Sequence, residues 1–318
     1  MERVLVTGGT GFVAGWCIAG LLDRGYAVRT TVRDGRSPAQ PPVETVRADL
    51  TSDDGWDAAV ADCAYVLHVA SPLGLDGRAD AGALISPARD GALRVLRAAT
   101  RSGVRRVVMT SSTAATTPAD SRGVADETVW TDPADPNLTP YRRSKLLAER
   151  AAWDYAAANG LELTTVLPAA VFGPVRSPAN AGSVEVIARL LTGRPPLLPR
   201  FGFTIVDVRD LADLHIRAMT DPAAAGERFI GAGEFRWLAE IAATLRTHLG
   251  GAARKVPTRP VPDGLVRALA RVVPPLRTLT PLLGRDLTFT SAKAQRVLGF
   301  TPRPVAETIL DCARSLPG

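Results

Sequence analysis

Short runs of β-branched and aliphatic residues alternate with longer stretches whose apolar positions recur every three or four residues, through the first half of the chain. Arg3 to Val6, Val28 to Val32, Tyr65 to Val69, Val104 to Thr110 and Leu163 to Leu167 read as strands. Phe12 to Arg24, Trp56 to Ala61, Ile85 to Arg101 and Pro140 to Asn159 read as the helices between them. Strands apolar at nearly every position, joined by helix-length crossovers, belong to a parallel sheet covered on both faces. The expected fold is therefore α/β, a doubly wound parallel Rossmann-type sheet with ligands beyond the carboxyl ends of its strands. After Pro168 the pattern loses regularity and is broken at Pro195-Pro196, Pro257 to Pro262 and Pro274-Pro275. We expect a main domain over 1–170, with 203–225 returning to its sheet as a strand from Thr204 to Val208 and a helix from Asp210 to Thr220. Segments 171–202 and 226–318 are expected to form a smaller C-terminal cap that binds substrate.

Composition changes this picture little. A chain of 318 residues with 46% hydrophobic and 22% charged positions buries enough surface for one such unit with a smaller lobe. Met1-Glu2 leads straight into an apolar strand without the basic and apolar regions of a secretory leader, and no stretch reaches the roughly 18 apolar residues of a membrane span. Cys17, Cys63 and Cys312 are scattered and odd in number, with no metal-binding spacing, which points to a reducing compartment and no metal. A soluble cytoplasmic protein is the expectation. The net charge of +6 is spread along the chain with no arginine-rich helix, so a nucleic-acid partner is not expected. Only Lys145, Lys255 and Lys293 are lysines, which makes a lysine beside reactive groups informative.

Thr7-Gly8-Gly9-Thr10-Gly11-Phe12-Val13-Ala14 leaves the first strand and opens the first helix. Gly8 allows a tight turn, Gly11 lets the backbone approach a pyrophosphate, and Ala14 lets helix and strand pack closely. Gly8, Thr10, Gly11, Phe12 and Val13 are thus the expected phosphate contacts at a helix N-terminus. A structural turn needs glycine for positive φ whether or not a ligand is present, so the strand-turn-helix setting carries the inference. At the end of the second strand an acid would bond a ribose 2′-hydroxyl, and arginine would pair with a 2′-phosphate. That acidic position falls on Val32, with Arg33 next and Arg36 as a second possible contact. Arginine's planar fork suits phosphate, so NADPH/NADP is the expected cofactor, provided that Asp34 points away.

Tyr141 and Lys145 lie four apart in a helix that Thr139 caps and Pro140 begins, and so share a face, with Arg142 and Arg143 turned to solvent. Ser111 and Ser112 follow the fourth strand, where side chains face the cleft. Hydride reaching a carbonyl carbon builds charge on oxygen that must be stabilised and protonated. Tyr141 is the expected proton donor, Lys145 lowers its phenol pKa and can also donate to the nicotinamide ribose hydroxyls, so that both are expected to contact the cofactor, and Ser112 polarises the carbonyl. Bringing a phenol from about 10 to about 7 takes roughly 4 kcal/mol, which one ammonium at about 4 Å supplies at an effective dielectric near 20.

Taken together, these residues resemble the extended short-chain dehydrogenase/reductase family, within the NAD-dependent epimerase/dehydratase superfamily. The nearest branch holds dihydroflavonol reductases, cinnamoyl-CoA reductases and microbial ketone or aldehyde reductases. The likeness runs through VRTTVRD (28–34), ADL (48–50), LHVASP (67–72), TSS (110–112), LPAAVFGP (167–174), VDVRDLADLH (206–215) and SAKAQRVLGFTPRP (291–304). It implies that Asp49 and Leu50 meet the adenine, Val69, Ala70 and Ser71 the ribose, Thr110 the cofactor beside Ser112, and Pro168 and Val171 the nicotinamide. It implies reduction of a ketone or aldehyde to an alcohol by NADPH, in a monomer or homodimer whose partner is a small carbonyl compound. Two departures stand out. The NWYCYGK-like string of cinnamoyl-CoA reductases is missing, which argues against a thioester, and Asp90-Gly91 stands where the classical relay has asparagine. Substrate shaping is expected from 113–137 and 176–203, and a pocket lined by Phe201 and Phe203 would suit a bulky hydrophobic ketone. Two other readings stay open: a sugar-nucleotide epimerase or dehydratase holding NAD, which Arg33 disfavours, and a non-catalytic dinucleotide sensor, which has no need of the tyrosine.

Overall fold

The computed structural model describes residues 1–33, 43–71, 81–135, 138–176, 182–277 and 279–316. Asp34, Arg36 and Pro72 lie outside the described residues, as do parts of the two expected substrate segments.

The first half runs β1 (Arg3–Val6), α1 (Phe12–Asp23), β2 (Ala27–Val32), β3 (Glu44–Arg47), α2 (Trp56–Val60), β4 (Tyr65–His68), α3 (Ala81–Arg101), β5 (Arg106–Thr110), β6 (Val124–Ala125), α4 (Pro140–Asn159) and β7 (Leu163–Pro168). Then come β8 (Ala170–Phe172), α5 (Glu185–Leu191), β9 (Leu198–Pro199), β10 (Gly202–Asp207), α6 (Val208–Thr220), β11 (Arg228–Gly231), β12 (Phe235–Trp237) and α7 (Leu238–Leu249). The chain ends with β13 (Pro260–Val261), α8 (Asp263–Leu269), α9 (Pro274–Arg277), β14 (Thr288–Phe289), α10 (Ala292–Leu298) and α11 (Val305–Ser315). A seven-stranded sheet in the order β11-β7-β5-β4-β1-β2-β3 forms the centre, with every adjacent pair parallel.

The strands read as continuous apolar runs because both faces are covered. Val4, Val6 and Leu67 pack against Ile18 and Leu21 of α1 and Leu211 and Leu214 of α6. Leu5, Val66 and Val107 point the other way, onto Val60 of α2, Leu96 of α3 and Ala152 of α4. A third core, around Phe172, Ile187, Ile205, Ile241 and Ile309, joins α5, α7 and α11 to the three-stranded sheet β12-β10-β8.

Two expectations are corrected by the sheet order. The strand expected near Thr204 to Val208 does not return to the main sheet: β10 pairs with β8 and β12, and only α6 packs back on the centre. The main sheet instead takes β11, from the stretch 226–318 that was expected in the cap. Its four residues alternate too briefly to register as a strand, yet Phe229 and Ile230 are fully buried against both faces. The edge strand β3 was missed for the opposite reason, since the mostly exposed Glu44-Thr45-Val46-Arg47 has no apolar periodicity.

The motifs at 206–215 and 301–304 act as a staple. Asp207, fully buried, accepts from the Arg209 amide at 2.8 Å and its guanidinium at 2.8 and 2.9 Å, while Arg303 donates its amide and guanidinium to Asp210 at 2.7 to 2.9 Å. Arg209 also reaches Asp311, so the start of α6, the loop before α11 and α11 itself are locked together.

Candidate active site

The glycine turn links β1 to α1 beneath the end of β2. Gly8 has φ of +71° and donates its amide to Thr31 Oγ1 at 2.9 Å, and the Gly11 amide closes the turn onto the Gly8 carbonyl at 2.8 Å. A Cβ on Gly8 would sit 3.0 Å from that of Ala70, and one on Gly9 would fall 2.3 Å from Thr30 Oγ1. Gly9, given no role by the sequence reading, is thus the glycine of this turn with least room. Helix α1 starts after Gly11, which offers no capping side chain, and amides left uncapped at a helix start are what an anion site uses. Ala14 is fully buried, while Phe12 packs on the third core and Val13 on the first. Thr10 stands exposed at the crest. Gly9→Ala is expected to lose about 1–3 kcal/mol of stability to overpacking against Thr30 and to weaken nucleotide binding. Urea unfolding with nucleotide titration checks this, and wild-type values in both would overturn it.

Thr7, buried at the end of β1, organises the neighbouring strand end. Its hydroxyl accepts from the amides of Val69 and Ala70 at 3.1 and 2.9 Å and meets His68 Nδ1 at 3.0 Å. With both amides donating, the hydroxyl proton goes to His68, which fixes a neutral ring with hydrogen on Nε2. Burial and the nearby Lys145 hold His68 down at about 3. The other strand-end histidine is built alike: His215 Nδ1 donates to the Leu211 carbonyl at 2.7 Å, so Nε2 accepts from Thr110 Oγ1 at 2.8 Å. Burial lowers it to about 4 against that bond. Both folded values lie below the ordinary 6.5, so the folded chain binds fewer protons and stability falls as pH drops below about 6.5. Between pH 6.5 and 5 each histidine is expected to remove about 1.4 kcal/mol per pH unit, and His215→Asn should roughly halve the slope of urea stability against pH. An unchanged slope would refute the assignment.

Among the other expected cofactor residues, Asp49 Oδ1 accepts the Thr51 amide and hydroxyl at 2.8 and 2.7 Å, and these bonds, joined by the positive charge of Arg33, hold its carboxyl below the usual range. Arg33 is exposed at the end of β2, on the Asp49 side of the sheet. Leu50 lies against Gly91, and its carbonyl takes the Arg94 guanidinium at 2.8 Å. Ser71 is half-buried just beyond β4. Pro168 is buried at the end of β7 beside Gly231, and Val171 is half-buried beside Val206. Asp90 turns outward to Ser86 at 2.6 Å and Arg89 at 2.8 Å.

Helix α4 carries the expected reactive pair and starts as its sequence indicates: Thr139 Oγ1 accepts the Arg142 amide at 3.3 Å, Pro140 follows, and Gly160 closes the helix at φ of +65°. Tyr141 stands beside Ser112, whose hydroxyl accepts the Ala114 amide at 3.2 Å. Burial pushes the phenol above its ordinary value and the neighbouring Ser112 hydroxyl pulls it back; the lowering expected from Lys145 does not act on it, so that expectation is corrected. Lys145 is 6% exposed, and burial lowers its amine to about 8 against the opposing pull of Glu149. Arg142 does not face solvent as expected: it is half-buried between Asp135 and Arg285, and burial lowers it. Glu149, one turn past Lys145, went unnoticed, although its spacing continues the series Tyr141, Lys145, Glu149. Phe201 and Phe203 stack edge to face at 5.4 Å against the third core.

The chain as a whole is similar in sequence and fold to known proteins. The family model for the NAD dependent epimerase/dehydratase family matches residues 4–230. The chain belongs to that family. Within the family, cinnamoyl-CoA reductase CAD2 of Medicago truncatula is 37% identical over 242 residues, covering 70% of this chain and 74% of the relative. Dihydroflavonol 4-reductase of Dianthus caryophyllus is 34% identical over 269 residues, covering 77% and 73%. The solved structure of Gre2 with NADPH from Candida albicans superposes with a TM-score of 0.79 at 26% identity, covering 99% of this chain and 98% of that one. The fold described above is thus of the Rossmann type that this solved structure shares.

Proposed function

We propose that this chain is an NADPH-dependent reductase that converts a ketone or aldehyde to an alcohol, with Tyr141 as proton donor. The observation that carries the reading is the half-buried Tyr141 phenol set beside the Ser112 hydroxyl, with Lys145 one helical turn away. A bound NADPH would supply the hydride. A phenol raised by burial is protonated at neutral pH, which is the form a reduction consumes. Ser112 orients the carbonyl oxygen toward that proton, and the Lys145 ammonium steadies the phenolate left behind. The uncapped start of α1 around Gly8, Thr10, Gly11, Phe12 and Val13 would take the pyrophosphate, and Arg33 the 2′-phosphate. Asp49 and Leu50 would receive the adenine, Val69, Ala70 and Ser71 the ribose, and Thr110, Pro168 and Val171 the nicotinamide end.

The reductase names of the curated relatives and the NADPH in the Candida Gre2 structure support the reaction class and cofactor. The sequence Thr139-Pro140-Tyr141-Arg142-Arg143-Ser144-Lys145, unlike the NWYCYGK-like string, favours a free carbonyl compound over a thioester. The segments around β8 to β10 and β12 to α11 would close over the substrate. No helix among the described residues is long and apolar enough to cross a membrane, and the three cysteines are free and buried, which suits the cytoplasm. Monomer and homodimer both agree with the chain.

The test is a panel of ketones and aldehydes with purified protein and each nicotinamide cofactor. Carbonyl-dependent NADPH oxidation, at least about tenfold faster than with NADH and losing that preference in Arg33→Ala, is the expected result. Protein that copurifies with NAD and ignores NADPH and carbonyls would replace this reading with an epimerase or dehydratase.

A further inference from the structure

The Glu149 carboxylate is fully buried, yet the sequence reading gave it no task. It accepts from Ser111 Oγ at 2.5 Å, Thr165 Oγ1 at 2.9 Å and the Arg228 guanidinium at 2.9 and 3.4 Å. Every one of these partners donates, a set that an ionised carboxylate uses in full. Arg228 is held independently: it donates to the carbonyls of Glu127 and Val129 and lies 3.7 Å over the Trp130 ring. Glu149 is therefore more than a counter-ion for an otherwise unsupported arginine. It stands four residues beyond Lys145 on α4, and Ser111, which grips it, directly precedes Ser112.

We propose that Glu149 is a positioning residue for Lys145: its fixed negative charge, locked by β5, β7 and β11, keeps the buried amine protonated and extended toward Tyr141. This rests on reading Tyr141 and Lys145 as the proton-donating pair. An ammonium with no counter-charge in so dry a place would shed its proton near neutrality. The titratable groups that act on Lys145 are Glu149 on its own helix and His68 from β4, and His68, neutral here and a cation if protonated, offers no negative charge. Arg228 from β11 faces Glu149, with Glu127 bonding the Ile230 amide beside it. On α3, packed along α4, the Arg89–Asp90 pair is turned to solvent.

Because the chain has only three lysines, lysine labelled with carbon-13 at Cε gives three resolvable signals, assigned with Lys255→Arg and Lys293→Arg. In the wild type the Lys145 signal should titrate near pH 8. In Glu149→Gln its midpoint should fall by about one pH unit, and in Glu149→Asp it should recover most of that. The basic limb of kcat for reduction should move with it, giving about a tenfold loss at the alkaline end of the Glu149→Gln profile and little change near pH 6. Superimposable Lys145 titrations in wild type and Glu149→Gln would overturn the proposal and leave Glu149 a packing residue. If Glu149→Gln does not fold, the wild type still decides, because a Lys145 midpoint below about 6.5 would mean that Glu149 does not offset burial. Full activity in Tyr141→Phe would sink the functional reading alone, since the lysine titration does not depend on catalysis.

Discussion

Tyr141→Phe is expected to lower kcat for carbonyl reduction by a factor of about 10² to 10⁴ while leaving NADPH affinity within about twofold. The substitution removes one oxygen, keeps the ring and leaves the Ala114 amide bonded to Ser112. A site that still binds cofactor and carbonyl but lacks a positioned proton must draw one from water, and that barrier appears in kcat rather than in binding. Steady-state kinetics with NADPH fluorescence titration separate the two. Activity within a few-fold of wild type would remove Tyr141 from the reaction.

Lys145→Met is expected to produce the second large effect, in two properties of opposite sign. Activity should fall by at least about a hundredfold, because the ammonium no longer balances charge arriving on Tyr141. Stability at pH 7 should rise. The folded amine titrates near 8 against an ordinary 10.5, so the folded chain holds fewer protons than the unfolded one between those values, and stability increases with pH across that window. Below pH 8 the wild type carries the whole cost of burying the ammonium, about 1–3 kcal/mol, and methionine of similar length escapes it. Urea midpoints should favour Lys145→Met at pH 7, with the gap narrowing from pH 8 to 10.5. A variant less stable than wild type at pH 7 would show that the amine's contacts outweigh its burial. The same trade, stability given up for a charge where chemistry needs it, is what the Glu149 cluster moderates.

Much of the fold was legible because its signals are local. β1, β2, β4, β5 and β7 lie where apolar runs indicate, within two residues at each end, and α4 begins and ends at the predicted positions because Thr139, Pro140 and Gly160 are cap signals read without tertiary context. The glycine turn was legible for the same reason. The edge strands β3 and β11 were not, since one is polar and exposed and the other has four residues, and only a neighbouring strand makes either extended segment stable. The destination of β10 was equally hidden: an apolar strand followed by a helix says nothing about which sheet receives it.

For the site the division is similar. The order of the elements, the glycine turn after β1 and the spacing of Tyr141 and Lys145 on one helix face follow from the chain itself, because sterics, capping and helical period act over a few residues. Tertiary structure decided the electrostatics. Whether Tyr141 is raised or lowered, whether Arg142 meets water, and whether Glu149 stands bare or is gripped by Ser111, Thr165 and Arg228 depend on burial and on partners far apart in sequence. Desolvation and charge coupling act through space, across a low-dielectric interior that exists only once the sheet and its helices have closed.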